Sequence, residues 1–269
     1  MLRLEEVTTS RGNVLDVATI AAEGRGRARP PVLLIHPINM RKECWLGVVP
    51  DLAAERTCIL VDLAGHGGST DDPEFSIEAW VADCADVVDH LDVSDVHVVG
   101  GSLGGAIAVG VAASRPGVVR SVAGFGSSVR PGPGEQGDSP APADENAVRE
   151  LFAGLAREAV APGSAEDVVD TVRRLTNRHG ADVVTRVLRA AYVADATGWL
   201  DDVRCPALWV TGEHDVTCSL EEGAWIAERL RGSHAALRDV GHLSMIEDAG
   251  AVLLHLLPHL RTADRAVAV

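Results

Sequence analysis

A chain of 269 residues that is 46% hydrophobic is long enough to bury one sizeable core and too apolar to stay disordered over most of its length. Its 39 acidic against 24 basic residues give a formal net charge of −15, which argues against a nucleic-acid partner because phosphate binding needs clustered cations. No apolar run is long enough to span a bilayer, and residues 1–10 alternate rather than forming a signal-peptide core, so no membrane association and a cytoplasmic location are expected. Basic residues are almost all arginine, Lys42 being the single lysine. The five cysteines, Cys44, Cys58, Cys84, Cys205 and Cys218, are widely spaced and contain no C-x-x-C pair, against a disulfide framework or a zinc site. Cys44 and Cys218 lie close to segments that carry chemistry and are candidates to line a pocket.

The first element is a predicted hairpin: residues 2–9 alternate, Ser10-Arg11-Gly12-Asn13 turns and 14–21 return. A Gly/Arg/Pro-rich loop leads to Val32-Leu33-Leu34-Ile35, a continuous apolar run of the kind buried on both faces of a parallel sheet. Such runs recur at 58–61, 96–99, 119–125 and 207–210, and more weakly at 235–240. Between them lie helical patterns at 45–55, 77–91, 103–114, 220–230 and 249–260. Strands alternating with helices specify an α/β fold whose mostly parallel sheet is covered on both faces. One segment breaks the alternation. Residues 127–144 are rich in Gly, Pro and Ser, and 145–197 hold helical patterns at 145–160, 165–178 and 181–194 with no strand candidate. The expected organisation is a core formed by 1–127 and 198–269, with 128–197 inserted as a helical cap. The apolar underside of that cap would form a pocket wall, and the loop 129–142 a hinge or gate.

Gly100-Gly101-Ser102-Leu103-Gly104-Gly105 follows the strand 96–99 directly and opens the helix containing Ile107 and Val111. In that strand–turn–helix context the segment reads as a nucleophile elbow. The turn holds the serine in a strained backbone conformation, and side chains in place of the glycines would collide with the neighbouring strand and helix. Ser102 is thereby lifted clear of the sheet, and Leu103 N–H, at a helix N-terminus, points where an oxyanion would form. The alternatives are an incidental serine on a glycine-rich turn or a phosphate loop. The latter would need Gly-Lys-Ser/Thr, which is absent.

Four segments in chain order make the chain resemble the α/β-hydrolase superfamily, serine-nucleophile branch, over nearly its full length. They are Ile35-His36-Pro37-Ile38-Asn39; Asp62-Leu63-Ala64-Gly65-His66-Gly67-Gly68-Ser69, similar to a D-x-x-G-H-G-x-S loop; the Ser102 elbow; and Gly212-Glu213-His214-Asp215 with Gly241-His242. The resemblance implies an eight-stranded, mostly parallel sheet with an inserted helical cap, Ser102 as nucleophile, His242 as its base and Asp215 as the acid that orients the base. A helix-capping role is the alternative for Asp215, with Asp195 and Glu247 as substitute acids. It also implies Ile38 N–H as the second oxyanion donor beside Leu103. Pro37 stands where relatives usually carry glycine and has no N–H of its own, so the oxyanion hole is expected to be reshaped. Asn39 offers an additional side-chain donor.

His36 and His66 are expected to brace loops through hydrogen bonds rather than transfer protons. His36, Asn39, Trp45 and Tyr192 are assigned to the substrate pocket. Arg173, Arg174, Arg178, Arg186 and Arg189 on the cap would either recognise a substrate carboxylate or form a solvated helix face. A serine at the elbow, rather than aspartate, disfavours haloalkane dehalogenase and epoxide hydrolase activity. The segment 241–247 and the small cap look most similar to enol-lactonases, C–C-bond hydrolases and perhydrolase-like esterases.

Three functions follow as expectations. The first is hydrolysis of an ester, lactone or thioester of a small organic acid through an acyl-enzyme. The second is transfer of that acyl group to another acceptor, with the acyl substrate carried on a carrier protein. The third is non-catalytic ligand binding on a hydrolase scaffold. No cofactor and no metal is implied.

Overall fold

Continuously apolar strands can be satisfied only between two helical layers, and that is where they lie. The structure, a computed structural model describing residues 1–24, 29–91, 93–132 and 144–265, contains an eight-stranded sheet. Its strands are β1 (Leu2–Thr8), β2 (Val14–Ile20), β3 (Val32–Ile35), β4 (Cys58–Val61), β5 (Val96–Gly101), β6 (Val119–Phe125), β7 (Ala207–Gly212) and β8 (Ser233–Leu237). Their spatial order is β1-β2-β4-β3-β5-β6-β7-β8, antiparallel from β1 to β4 and parallel from there on. This is the α/β-hydrolase sheet expected from the sequence.

The helices are α1 (Val49–Ala53), α2 (Ile77–His90), α3 (Leu103–Ser114), α4 (Glu145–Glu158), α5 (Glu166–Arg174), α6 (Ala181–Tyr192), α7 (Leu220–Arg229), α8 (Ser244–Glu247) and α9 (Ala249–Arg265). Because strand side chains alternate between faces, each central strand feeds two cores. Leu33, Ile35, Ile59 and Val61 pack with α2, α3 and α7, whereas Val32, Leu34, Cys58 and Leu60 pack with α1, α8 and α9.

Helices α4, α5 and α6 lie between β6 and β7 in the chain. Val148, Phe152 and Val184 form a small core of their own. Ala156, Val160, Val169 and Val172 join the α9 side, and Val183 and Val187 join the α3 side. Most of the expected loop 129–142 lies outside the described residues.

Two elements differ from the sequence expectation. The helix anticipated over 45–55 is a 3₁₀ turn, Lys42–Trp45, followed by the short α1. Pro50 accounts for this, since a residue without an N–H belongs in a first turn. The last strand runs over Ser233–Leu237, earlier than 235–240, because its register is set by pairing with β7 (Leu208 opposite Ser233, Gly212 opposite Leu237). Among the described residues no helix is long and apolar enough to cross a membrane.

The parallel register brings one end of the sheet into line. Ile35 lies opposite Gly100, Gly101 opposite Phe125, Phe125 opposite Val210 and Gly212 opposite Leu237. The residues that follow these positions therefore gather at the carboxyl ends of the strands.

Candidate active site

Ser102 sits at that end with φ 50° and ψ −125°, in the left-handed φ region. Such a conformation costs about 1–3 kcal/mol for a residue with a Cβ and needs outside support. Ser102 N donates to Phe125 O at 2.9 Å, and Gly105 N donates to Ser102 O at 2.9 Å. Close backbone packing completes the hold. A Cβ on Gly100 would stand 2.0 Å from Gly104 O, and one on Gly104 would stand 2.5 Å from Ile35 O. The glycines thus let the end of β5, the start of α3 and the end of β3 touch.

Gly126 is where the elbow meets His242 and Asp215. It follows the carbonyl that holds Ser102, adopts φ 55° and has its own N–H bonded to Val210 O. A Cβ there would lie 2.6 Å from His242 O and 2.8 Å from Asp215 Oδ2. Asp215, in the turn after β7, accepts from Thr217 N (2.8 Å) and Cys218 N (2.9 Å) on Oδ1. His242 Nδ1 lies 3.0 Å from Oδ1 and 3.1 Å from Oδ2 of Asp215. A carboxylate only accepts, so Nδ1 carries the proton and Nε2 is left with its lone pair free to act as a base. The carboxylate has no exposed surface and so meets its partners without competition from water.

The other acids contemplated for this role are engaged elsewhere. Asp195 accepts from Thr197 N and Oγ1 at the 3₁₀ turn Thr197–Asp202. Glu247 accepts from Gly241 N and Ala161 N.

The β3 end adjoins the elbow: the Pro37 ring lies 3.2 Å from where a Gly101 Cβ would be, so the loop after β3 packs on the turn that carries Ser102. Leu103 is the first residue of α3, where N–H groups lack acceptors within the helix. A pair of histidines fixes this loop. Leu63 N donates to His36 Nε2 (3.0 Å) and Asn39 N donates to His66 Nε2 (3.1 Å). Each ring turns its Nδ1 to a nearby carbonyl, Pro37 O and Ala64 O respectively. Burial lowers the pKa of both, and for His66 the adjacent His36 lowers it further. The rings are therefore neutral, with Nε2 as acceptor.

These contacts correct part of the pocket assignment. His36 has no exposed surface and both its nitrogens are engaged, so it braces the loop and does not line a pocket. Trp45 is likewise fully buried, packed edge-on against Phe125 at 6.2 Å, and touches no space that water can enter. Cys44 and Cys218 are buried, with thiols pushed up mainly by burial. Asn39, 4% exposed and at φ 55°, gives its N–H to His66 and its carbonyl to Asn177 N (2.7 Å). Its Nδ2 has no partner among the described residues. Tyr192 is 43% exposed at the end of α6, where its carbonyl accepts from Gly132 N. Arg173 pairs with Glu166 and Asp170, Arg174 bonds Thr171, and Arg186 bonds Asp71 and Asp72 O while lying over Phe75. Arg178 and Arg189 are exposed.

Sequence reasoning missed Gly126, Asn177 and the bridging role of Glu247. A glycine directly after the β6 run was the one available signal; the other two carry none. Among the described residues one group could hold a metal ion, Glu213, His214 and Asp239, with ligand atoms within 4.8 Å of one another. All three are exposed, and none belongs to the Ser102, His242, Asp215 set.

Residues 32–267 match the Alpha/beta hydrolase family. A pimeloyl-acyl-carrier-protein methyl ester esterase of Chromobacterium violaceum is 31% identical over 75% of this chain and 82% of its own. The dihydrolipoyllysine-residue acetyltransferase component of an acetoin cleaving system from Pseudomonas putida is 30% identical over 88% of this chain, which spans 65% of that protein's length. The enol-lactonase of Burkholderia xenovorans LB400 superposes with a TM-score of 0.86, covering 96% of this chain and 100% of that one at 22% identity, a likeness of fold.

Proposed function

The chain belongs to the alpha/beta hydrolase family, and from that premise we propose that it is a serine hydrolase that forms an acyl-enzyme on Ser102 from an ester, lactone or thioester of a small organic acid. The carrying observation is the Asp215–His242 pair set across Gly126 from a serine held at φ 50°. His242 Nε2 removes the Ser102 proton as Oγ attacks the carbonyl carbon. The oxyanion accepts from Leu103 N–H and Ile38 N–H, and Asp215 stabilises the imidazolium. His242 then protonates the leaving group, and water, activated by the same imidazole, releases the acid.

Pro37 leaves the second donor to Ile38, because Asn39 N–H is already committed to His66. Intact-mass spectrometry with a fluorophosphonate and a panel of esters, lactones and thioesters tests this reading. A single adduct is expected on Ser102 and none in Ser102→Ala. An adduct on another residue would overturn the assignment, and complete inertness would favour a binding protein.

Acyl transfer to an acceptor other than water is the second reading, supported by the likeness to the Pseudomonas putida acetyltransferase component and to an esterase acting on a carrier-borne acyl group. The rate at which water clears the acyl-enzyme, with and without an added alcohol or amine, separates the two.

A further inference from the structure

The backbone carrying His242 is held from the core, where His214 N donates to Val240 O at 2.9 Å, and from the cap as well. His242 N and Leu243 N both donate to Ala159 O, at 2.9 and 3.3 Å, at the residue that ends α4. One residue earlier, Gly241 N donates to both carboxylate oxygens of Glu247, at 3.1 and 3.0 Å. The same Glu247 Oε2 accepts from Ala161 N at 2.7 Å, in the connection between α4 and α5. Contact there leaves no slack: a Cβ on Gly241 would stand 2.7 Å from Ala161 N. Asp215, by contrast, is oriented by N–H groups of its own turn. The imidazole is thus fixed at its ring by the core and at its backbone by core and cap together.

We propose that Glu247 is a positioning residue that couples seating of the cap to the placement of the base. This rests on the reading of His242 as the base of Ser102. With the cap seated, the carboxylate ties Gly241 to Ala161 and holds the residue before His242 in place. With the clasp opened, His242 N and Leu243 N lose Ala159 O and general-base power falls, while Leu103 N–H, carried on α3, stays in place. A cap that binds substrate therefore also switches on the chemistry.

The test compares wild type, Glu247→Ala, Glu247→Gln and Ala161→Pro in the full-length protein. Readouts are labelling by a small fluorophosphonate, kcat and KM on a reactive ester, the pH profile of labelling, and Tm. Displacements of about 1 Å at a base cost up to ~100-fold, so Glu247→Ala is expected to slow labelling and kcat about 10–100-fold across the pH profile with KM nearly unchanged. Glu247→Gln should recover most of this, since one amide oxygen at the Oε2 position can accept from both N–H groups. Ala161→Pro removes only the cap-side donor and leaves Gly241 bonded, and should still slow labelling several-fold. Wild-type labelling rates in both Glu247→Ala and Ala161→Pro would overturn the coupling, as would a Glu247→Ala defect confined to KM. Should Glu247→Ala fail to fold, Ala161→Pro against Glu247→Gln decides: equal wild-type rates in both overturn the proposal. Wild-type protein that is not labelled at all would overturn the hydrolase reading itself, a distinguishable result.

Discussion

One backbone position and one carboxylate bear most directly on how the proposed mechanism would run. Gly126 combines φ 55° with contact to His242 O and Asp215 Oδ2, so alanine there is strained and also pushes on the acid–base pair. Gly126→Ala is expected to cost about 1–3 kcal/mol of stability and to lower kcat at least about tenfold; ester kinetics alongside urea denaturation read both. At Asp215, asparagine keeps one oxygen for Thr217 N and Cys218 N but turns an amide N–H toward His242 Nδ1. The imidazole then adopts the other tautomer, with Nε2 protonated and unable to accept from Ser102. Acylation should fall by about 10⁴ if the serine-protease case transfers, with ligand binding retained. Single-turnover labelling measures it, and a near-wild-type rate would remove Asp215 from its role.

The loops after β3 and β4 are joined reciprocally, each histidine accepting from a backbone N–H of the other loop. Asn177, from the cap, adds its own N–H to Asn39 O and its Nδ2 to Gly65 O, both at 2.7 Å. His66→Ala leaves Asn39 N–H buried without a partner, a loss of about 1–3 kcal/mol. It also loosens the turn carrying Ile38. The expected result is a lower urea midpoint together with slower acylation, and an unchanged labelling rate would show that Ile38 is held by other contacts. At this scale the sequence was a good guide wherever local chemistry sets the boundary. Helix α3 spans the expected residues because a strained turn starts it, and β3 to β6 follow their apolar runs. It failed at the end of α9, which continues to Arg265 rather than stopping near 260. Asp264 is held by His97, Arg29 and Arg56, and no periodicity encodes those partners.

Across the whole molecule, the amino ends of the strands hold a hydrogen-bonded Ser-His-Asp chain. Ser121 Oγ lies 2.8 Å from His97 Nδ1, and His97 Nε2 lies 3.0 Å from Asp264 Oδ1. His97 and Ser121 are buried, and the set stands roughly 16 Å from Ser102, five residues along β5 at about 3.3 Å each. It pins α9 to the sheet. Burial lowers the pKa of His97, and that of nearby His259 falls to about 4, through burial and then the neighbouring His97. Burial would raise the Asp264 carboxyl, but hydrogen bonds from His97 and Arg56 hold it below the usual range.

In the unfolded chain a histidine takes its proton near pH 6.5, before the folded protein accepts one. Stability is therefore complete above about pH 6.5 and declines as pH falls toward 4, by roughly 3 kcal/mol at most from His259. Asp264 adds a further loss only below its unfolded value near 4. Urea midpoints between pH 7.5 and 4.5 should fall accordingly, and His259→Gln should flatten the curve.

The sequence by itself determined the sheet, the elbow and the chain order of Ser102, Asp215 and His242, because hydrophobic alternation and glycine-bounded turns are local properties. The tertiary structure decided which carboxylate meets His242, that His36 is buried with both nitrogens engaged, and that Glu247 joins Gly241 N to Ala161 N. It also decided that Ser102 lies at a strained elbow while His97 and Ser121 are buried at the other end of the sheet. Those outcomes depend on distances across the sheet between residues far apart in the chain. They depend as well on exposure to water, and residue type and spacing specify neither.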